Sequence, residues 1–142
     1  MPSESKDLRD ELSAFRLDGT SNWYRFEAAL TELCSRPLSS AEFEAAFDIF
    51  ERYPKEDGES CGLFWSLLHT LEAHSGYEQF LVASVQRVPS EFGVVMVGRL
   101  INASVGEVSG VRLRDLLAEI LKHPGASSFA KEIAQKSLQT RA

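Results

Sequence analysis

Apolar positions along this chain recur at helical spacing, in segments of 11–15 residues separated by short polar breaks. In 4–16, Leu8, Leu12 and Phe15 stand at i, i+4, i+7. After the Asp18-Gly19 turn, Thr20, Ser21 or Asn22 can cap a second helix, in which Trp23, Phe26, Leu30, Leu33 and Cys34 share one face and which Pro37 closes. Ser39 and Glu42 have capping-box spacing and open a third helix, whose buried face is Phe43, Ala46, Phe47 and Phe50 and which Tyr53-Pro54 ends. The fourth, 61–74, buries Leu63, Phe64, Leu67, Leu68 and Leu71; the fifth, 77–87, carries Phe80, Leu81 and Val85. The sixth, 91–103, contains Val94 to Val97, which alone would suit a strand. Its apolar run continues through Arg99 to Ala103 without turn signals, so it reads as helix. A loop covers 104–110. The seventh helix, 111–122, has Leu113, Leu116, Leu117, Ile120 and Leu121 on one face and stops at Pro124-Gly125; the eighth, 127–139, buries Phe129, Ile133 and Leu138.

The expected fold is therefore all-α: about eight antiparallel helices in one domain over 1–142, as a HEAT-like helical array or an irregular bundle. Residues 1–3 and 140–142 read as disordered ends. The fourth and sixth segments are apolar on more than one face, so they form an inner layer that other helices cover. Helix pairs recur every 35–40 residues or so, with no fixed period visible in the residues themselves.

Charge changes this picture at one place. The net charge is −6, and residues 1–60 hold fourteen Asp/Glu against seven Lys/Arg. Between Glu42 and Glu59 there are seven acids and two bases. Glu44, Asp48 and Glu51 stand at i, i+4, i+7, away from the aromatic face, with only Lys55 read as placed to offset them. Glu56, Asp57 and Glu59 follow in the next loop. Such a field repels nucleic acid and attracts basic proteins. On the fourth helix Trp65, His69 and Glu72 line up at i, i+4, i+7, either packed against the next layer or forming an interface anchor beside that loop.

Catalytic chemistry finds little to stand on. His69, His74 and His123 are scattered, no phosphate-binding glycine loop or H-E-x-x-H is present, and Glu56-Asp57-Gly58-Glu59 is too short for a calcium loop. No cofactor or metal is expected, nor an enzyme. Cys34 and Cys61 lack partners at metal-ligand spacing and read as buried thiols of a cytoplasmic protein. The polar N-terminus is no signal peptide, and no apolar run reaches the roughly 20 residues of a membrane span.

The run Phe92-Gly-Val-Val-Met-Val-Gly-Arg-Leu-Ile-Asn-Ala-Ser-Val-Gly-Glu-Val-Ser-Gly110, with Leu113, Leu116, Leu117, Ile120 and Leu121 after it and Leu63 to Glu72 before it, resembles bacterial immunity proteins. These neutralise polymorphic toxins, including those of contact-dependent growth inhibition. The likeness covers about 60–122. It implies an all-helical, often HEAT-like protein that binds and blocks one cognate toxin domain, frequently a nuclease with a basic surface; the chain is expected to act as a non-enzymatic inhibitor, monomeric before binding. The acidic face fits such a partner independently. The expected toxin-binding residues are Glu44, Asp48, Glu51, Glu56, Asp57, Glu59, Trp65, His69 and Glu72. The alternative is a helical-repeat adaptor holding a peptide or protein unrelated to toxins.

Overall fold

The computed structural model describes residues 4–14, 22–53 and 61–140, with side chains over 8–13, 27–53 and 62–139. Phe15, Trp23, Phe26, Glu56, Asp57, Glu59 and the Cys61 side chain lie outside that set. Among the described residues there are eight helices: α1 (Glu4–Ala14), α2 (Asn22–Ser35), α3 (Ser40–Arg52), α4 (Cys61–Glu72), α5 (Glu78–Arg87), α6 (Glu91–Asn102), α7 (Leu113–Lys122) and α8 (Ser128–Thr140). The all-α reading holds, and α8 runs one residue into the stretch read as tail.

Each helix packs on a neighbour in sequence, and all but α7 pack also on a next helix but one. The pairs are α1–α2, α3–α4, α5–α6 and α7–α8; across pairs α1 meets α3, α3 meets α5, and α2, α4, α6 and α8 meet in series. This is a two-layer stack of helical hairpins, which short connections favour. The first helices of the pairs begin at Glu4, Ser40, Glu78 and Leu113, 35 to 38 residues apart.

Local sequence explains the best-defined starts. At α3 the Ser39 hydroxyl accepts from the Glu42 N–H (3.2 Å) while the Glu42 carboxylate accepts from the Ser39 N–H (2.9 Å), so the expected capping box forms. At α6 the Ser90 hydroxyl accepts from the Gly93 N–H at 3.0 Å. That cap, and burial of Phe92, Val94, Met96, Val97, Leu100 and Ile101, settle the valine run as helix. α6 touches α3, α4, α5, α7 and α8. It is the covered inner helix that its composition demands. α4 is not: Trp65, Ser66 and His69 leave one of its faces open.

Aromatic rings knit the layers. Phe50 of α3 stacks on Phe92 of α6 (centroids 5.5 Å), and Phe64 of α4 meets both edge-on at 5.6 and 5.5 Å. Phe43 stacks on Phe80 at 4.9 Å, joining α3 to α5.

Three further expectations fail. Phe129 is 51% exposed; α8 instead buries Ala130 and Ala134, with Ile133 and Leu138 only partly covered. Small residues there let α8 approach α6 closely. A Cβ built on Gly98 would stand 2.6 Å from the Ser137 hydroxyl oxygen. Cys34 is an exposed free thiol, not a buried one, since it follows Leu33 around α2 and leaves the core face. Finally, 104–110 is not all loop. Glu107–Val108 (β1) and Val111–Arg112 (β2) pair antiparallel, Glu107 opposite Arg112 and Val108 opposite Val111. Ser109 (φ 49°) and Gly110 (φ 84°) form the turn, both with the positive φ that a two-residue hairpin matching strand twist requires. α5 meets β1 here, where it would otherwise run against α7.

Candidate functional site

The acidic row on α3 is largely engaged. Asp48 pairs with Arg52 one turn on (2.8 Å), a base at i+4 that the reading of an unopposed row overlooked. Arg52 also donates to the Leu12 carbonyl at 2.9 Å, which ties α3 to α1. Glu51 takes both Nε (3.2 Å) and Nη2 (2.7 Å) of Arg87 on α5. These bonds, with smaller contributions from the charges of Glu44 and Asp48, raise the Arg87 guanidinium above its ordinary range. Glu44 stays exposed, with no ion pair to another described residue.

The α4 row is engaged at its far end only. Glu72 accepts from Arg99 Nε (2.7 Å) and Nη2 (2.9 Å) of α6, and these bonds are the main reason the Arg99 guanidinium is raised. His69 has its Nδ1 4.0 Å from Glu72 and a side chain 60% exposed, so it is not a core histidine. Trp65 packs edge-on against Phe92 (5.4 Å) and lies near His69 (5.8 Å), yet remains 36% exposed. The row therefore runs from a half-open indole, past an exposed imidazole, to a closed ion pair.

The two rows belong to different layers. Glu44, Asp48 and Glu51 sit beside α5, whereas Trp65, His69 and Glu72 sit beside α6. The stretch 54–60 that would join them, with Glu56, Asp57 and Glu59, is outside the described residues.

Reading residues along the chain missed the partners Arg87 and Arg99, because each comes from a distant helix. A signal was present for the first. Glu51 and Arg87 are 36 residues apart, as are Cys34 and Thr70 (Sγ to Oγ1 3.8 Å) and Glu91 and Ser127 (2.5 Å). That separation matches the repeat of helix pairs.

A further acidic side chain is structural. Glu42 is fully buried on α3 and accepts from Arg36 Nη1 (3.2 Å) and Nη2 (2.9 Å) as well as from the Ser39 N–H. Burial pushes its pKa up, but the Arg36 and Ser39 bonds outweigh that and hold the carboxyl below its ordinary range.

Among the described residues no cluster of three His, Cys, Asp or Glu side chains could hold a metal, and no helix is long and apolar enough to cross a membrane. Comparison of the chain with protein-family models, with curated proteins and with solved structures finds no match.

Proposed function

We propose that this chain is an immunity protein that binds and neutralises a cognate toxin domain in the bacterial cytoplasm, without catalysis of its own. The observation that carries the reading is Trp65: a large indole left 36% exposed on the open face of α4, beside an exposed His69. Tryptophan is among the side chains enriched at the hot spots of protein interfaces. The partner is a domain with a basic surface, drawn by the excess acid of residues 1–60. Glu51 and Glu72 are held by Arg87 and Arg99, so within the anticipated set Trp65 and His69 make the direct contacts, while Glu44 and Asp48, on the other layer, add to the attraction. Glu56, Asp57 and Glu59 supply long-range attraction.

The test is rescue. Co-expression with the toxic C-terminal fragment encoded immediately upstream restores growth, and W65A, folded by circular dichroism, loses that protection. Absence of rescue by the unaltered chain sinks the immunity reading. The layered stack of helices also suits an adaptor for a non-toxic protein. Capture of a specific partner that does not impair growth when expressed alone selects that reading.

A further inference from the structure

Arg99 and Tyr77 bring unspent hydrogen-bond donors to one open depression. It has a volume of about 470 Å³, lies at the C-terminal ends of α4 and α6, and is lined by Glu72, Tyr77, Arg99, Leu100, Asn102 and Ala103. Tyr77 is only 6% exposed, and its hydroxyl has no hydrogen-bond partner among the described residues. The ring is covered while its O–H end still reaches solvent. Burial first, then the charges of Glu72 and Glu78, push its pKa up to about 12 against the opposing pull of Arg99. It is therefore a protonated donor throughout the working range. Arg99 spends Nε and Nη2 on Glu72 and leaves its Nη1 edge open. Arg36 shows the completed form of that arrangement in the same molecule: one guanidinium carrying two carboxylates, Glu42 and Glu32.

We propose that this depression binds a carboxylate, received by Arg99 Nη1, the Tyr77 hydroxyl and the side-chain amide of Asn102. Glu72 opposes it, though less than a free carboxylate would, because both its oxygens are held by Arg99. The nearby Glu78 and the C-terminal ends of α4 and α6 oppose it as well, which keeps the affinity modest. The carboxylate belongs either to a small free acid or to an acidic side chain of a docked protein. The proposal stands apart from the immunity reading and survives its failure.

The experiment is a titration of the ¹⁵N-labelled chain, following the Arg99 Nε–H and the backbone amides of 99–103. The probes are sodium succinate, the blocked tripeptide acetyl-Gly-Glu-Gly-amide, and its Gln counterpart. Expected is a saturable shift with succinate or the Glu peptide, exceeding that of sodium chloride at equal ionic strength. The Gln peptide gives none. Stronger binding of succinate assigns the site to a free acid; stronger binding of the Glu peptide assigns it to a protein partner. Y77F keeps the ring in place and removes only the O–H; it weakens binding about tenfold, the worth of one hydrogen bond to a charged group. Equal shifts from the Gln and Glu peptides, no shift beyond that of chloride, or unchanged affinity in a folded Y77F overturns the proposal.

Discussion

Replacing Glu42 by Gln is the sharpest probe of how this stack is held. The residue is 0% exposed and its carboxylate receives three bonds, two from Arg36 and one from the Ser39 N–H. Glutamine keeps the volume and can still accept from Ser39, but its amide NH₂ confronts the donors of Arg36. Removing one partner from a fully buried pair costs about 3–5 kcal/mol. Arg36 is 22% exposed and keeps Glu32 at 3.2 Å, so the loss falls lower, at about 2 kcal/mol. Glu42→Ala also removes the capping bond, worth about 1 kcal/mol, and leaves a cavity, for roughly 3–4 kcal/mol in all. In a domain of this size each kcal/mol moves Tm by about 3 °C, so E42Q melts about 6 °C below the unaltered chain. Urea and thermal unfolding by far-ultraviolet circular dichroism read both numbers. The pH dependence gives a second check. The folded carboxyl titrates below its unfolded value, so its stabilisation is complete above the ordinary carboxylate range and disappears as pH falls through the lowered value. The gap between the unaltered chain and E42Q is then widest at neutral pH and closes on acidification. A gap under about 0.5 kcal/mol at neutral pH, or one that widens in acid, refutes the reasoning.

Other substitutions test separate parts of the structure. Gly93→Ala places a Cβ 2.8 Å from the Ser90 hydroxyl oxygen that caps α6 and 2.9 Å from Val85 Cγ2; equilibrium unfolding should show a net loss of about 1–3 kcal/mol despite the better helix propensity of alanine. Phe129→Ser, at a half-exposed ring, should change stability by less than about 0.5 kcal/mol, and a loss of the size expected for a buried phenylalanine would contradict its placement. Arg87→Ala leaves Glu51, whose side chain is 11% exposed, without its partner, so denaturant titration should register a loss of about 1–3 kcal/mol. Reversing Asp57 and Glu59 to Lys should slow association with a basic toxin domain and flatten its salt dependence in stopped-flow measurements; unchanged rates would remove the charge component of the proposed interface.

The helices were legible because each carries its own local instruction. Ser39 and Glu42 announce the start of α3, Pro89-Ser90 announces α6, and the leucines of α7 leave a single face to bury. What one segment does to another was not legible. Phe129 looks like core until Ala130 and Ala134 are seen to permit closer packing on α6. The acids of α3 look unopposed until α5 supplies Arg87, and Asp48 had its base on the same helix, at Arg52. The strands of 107–112 are only two residues each, too short for alternation to show. Of the anticipated surface, Trp65 and His69 are exposed and Glu72 is half-buried; that Glu72 belongs to an ion pair depends on Arg99, 27 residues away on another helix.

The small hairpin between α6 and α7 has a mechanical consequence. Because α5 rests on β1, the last helix pair joins the molecule chiefly where α8 lies along α6, at a seam of Gly98, Ala130, Ala134 and Ser137. Residues 113–140 then constitute the natural unit of partial opening, with α6 as the shore from which they depart. Amide hydrogens of α7 and α8 should exchange together and ahead of those in α3 and α6, and widening the seam at Gly98 should accelerate that exchange while the earlier pairs keep their protection.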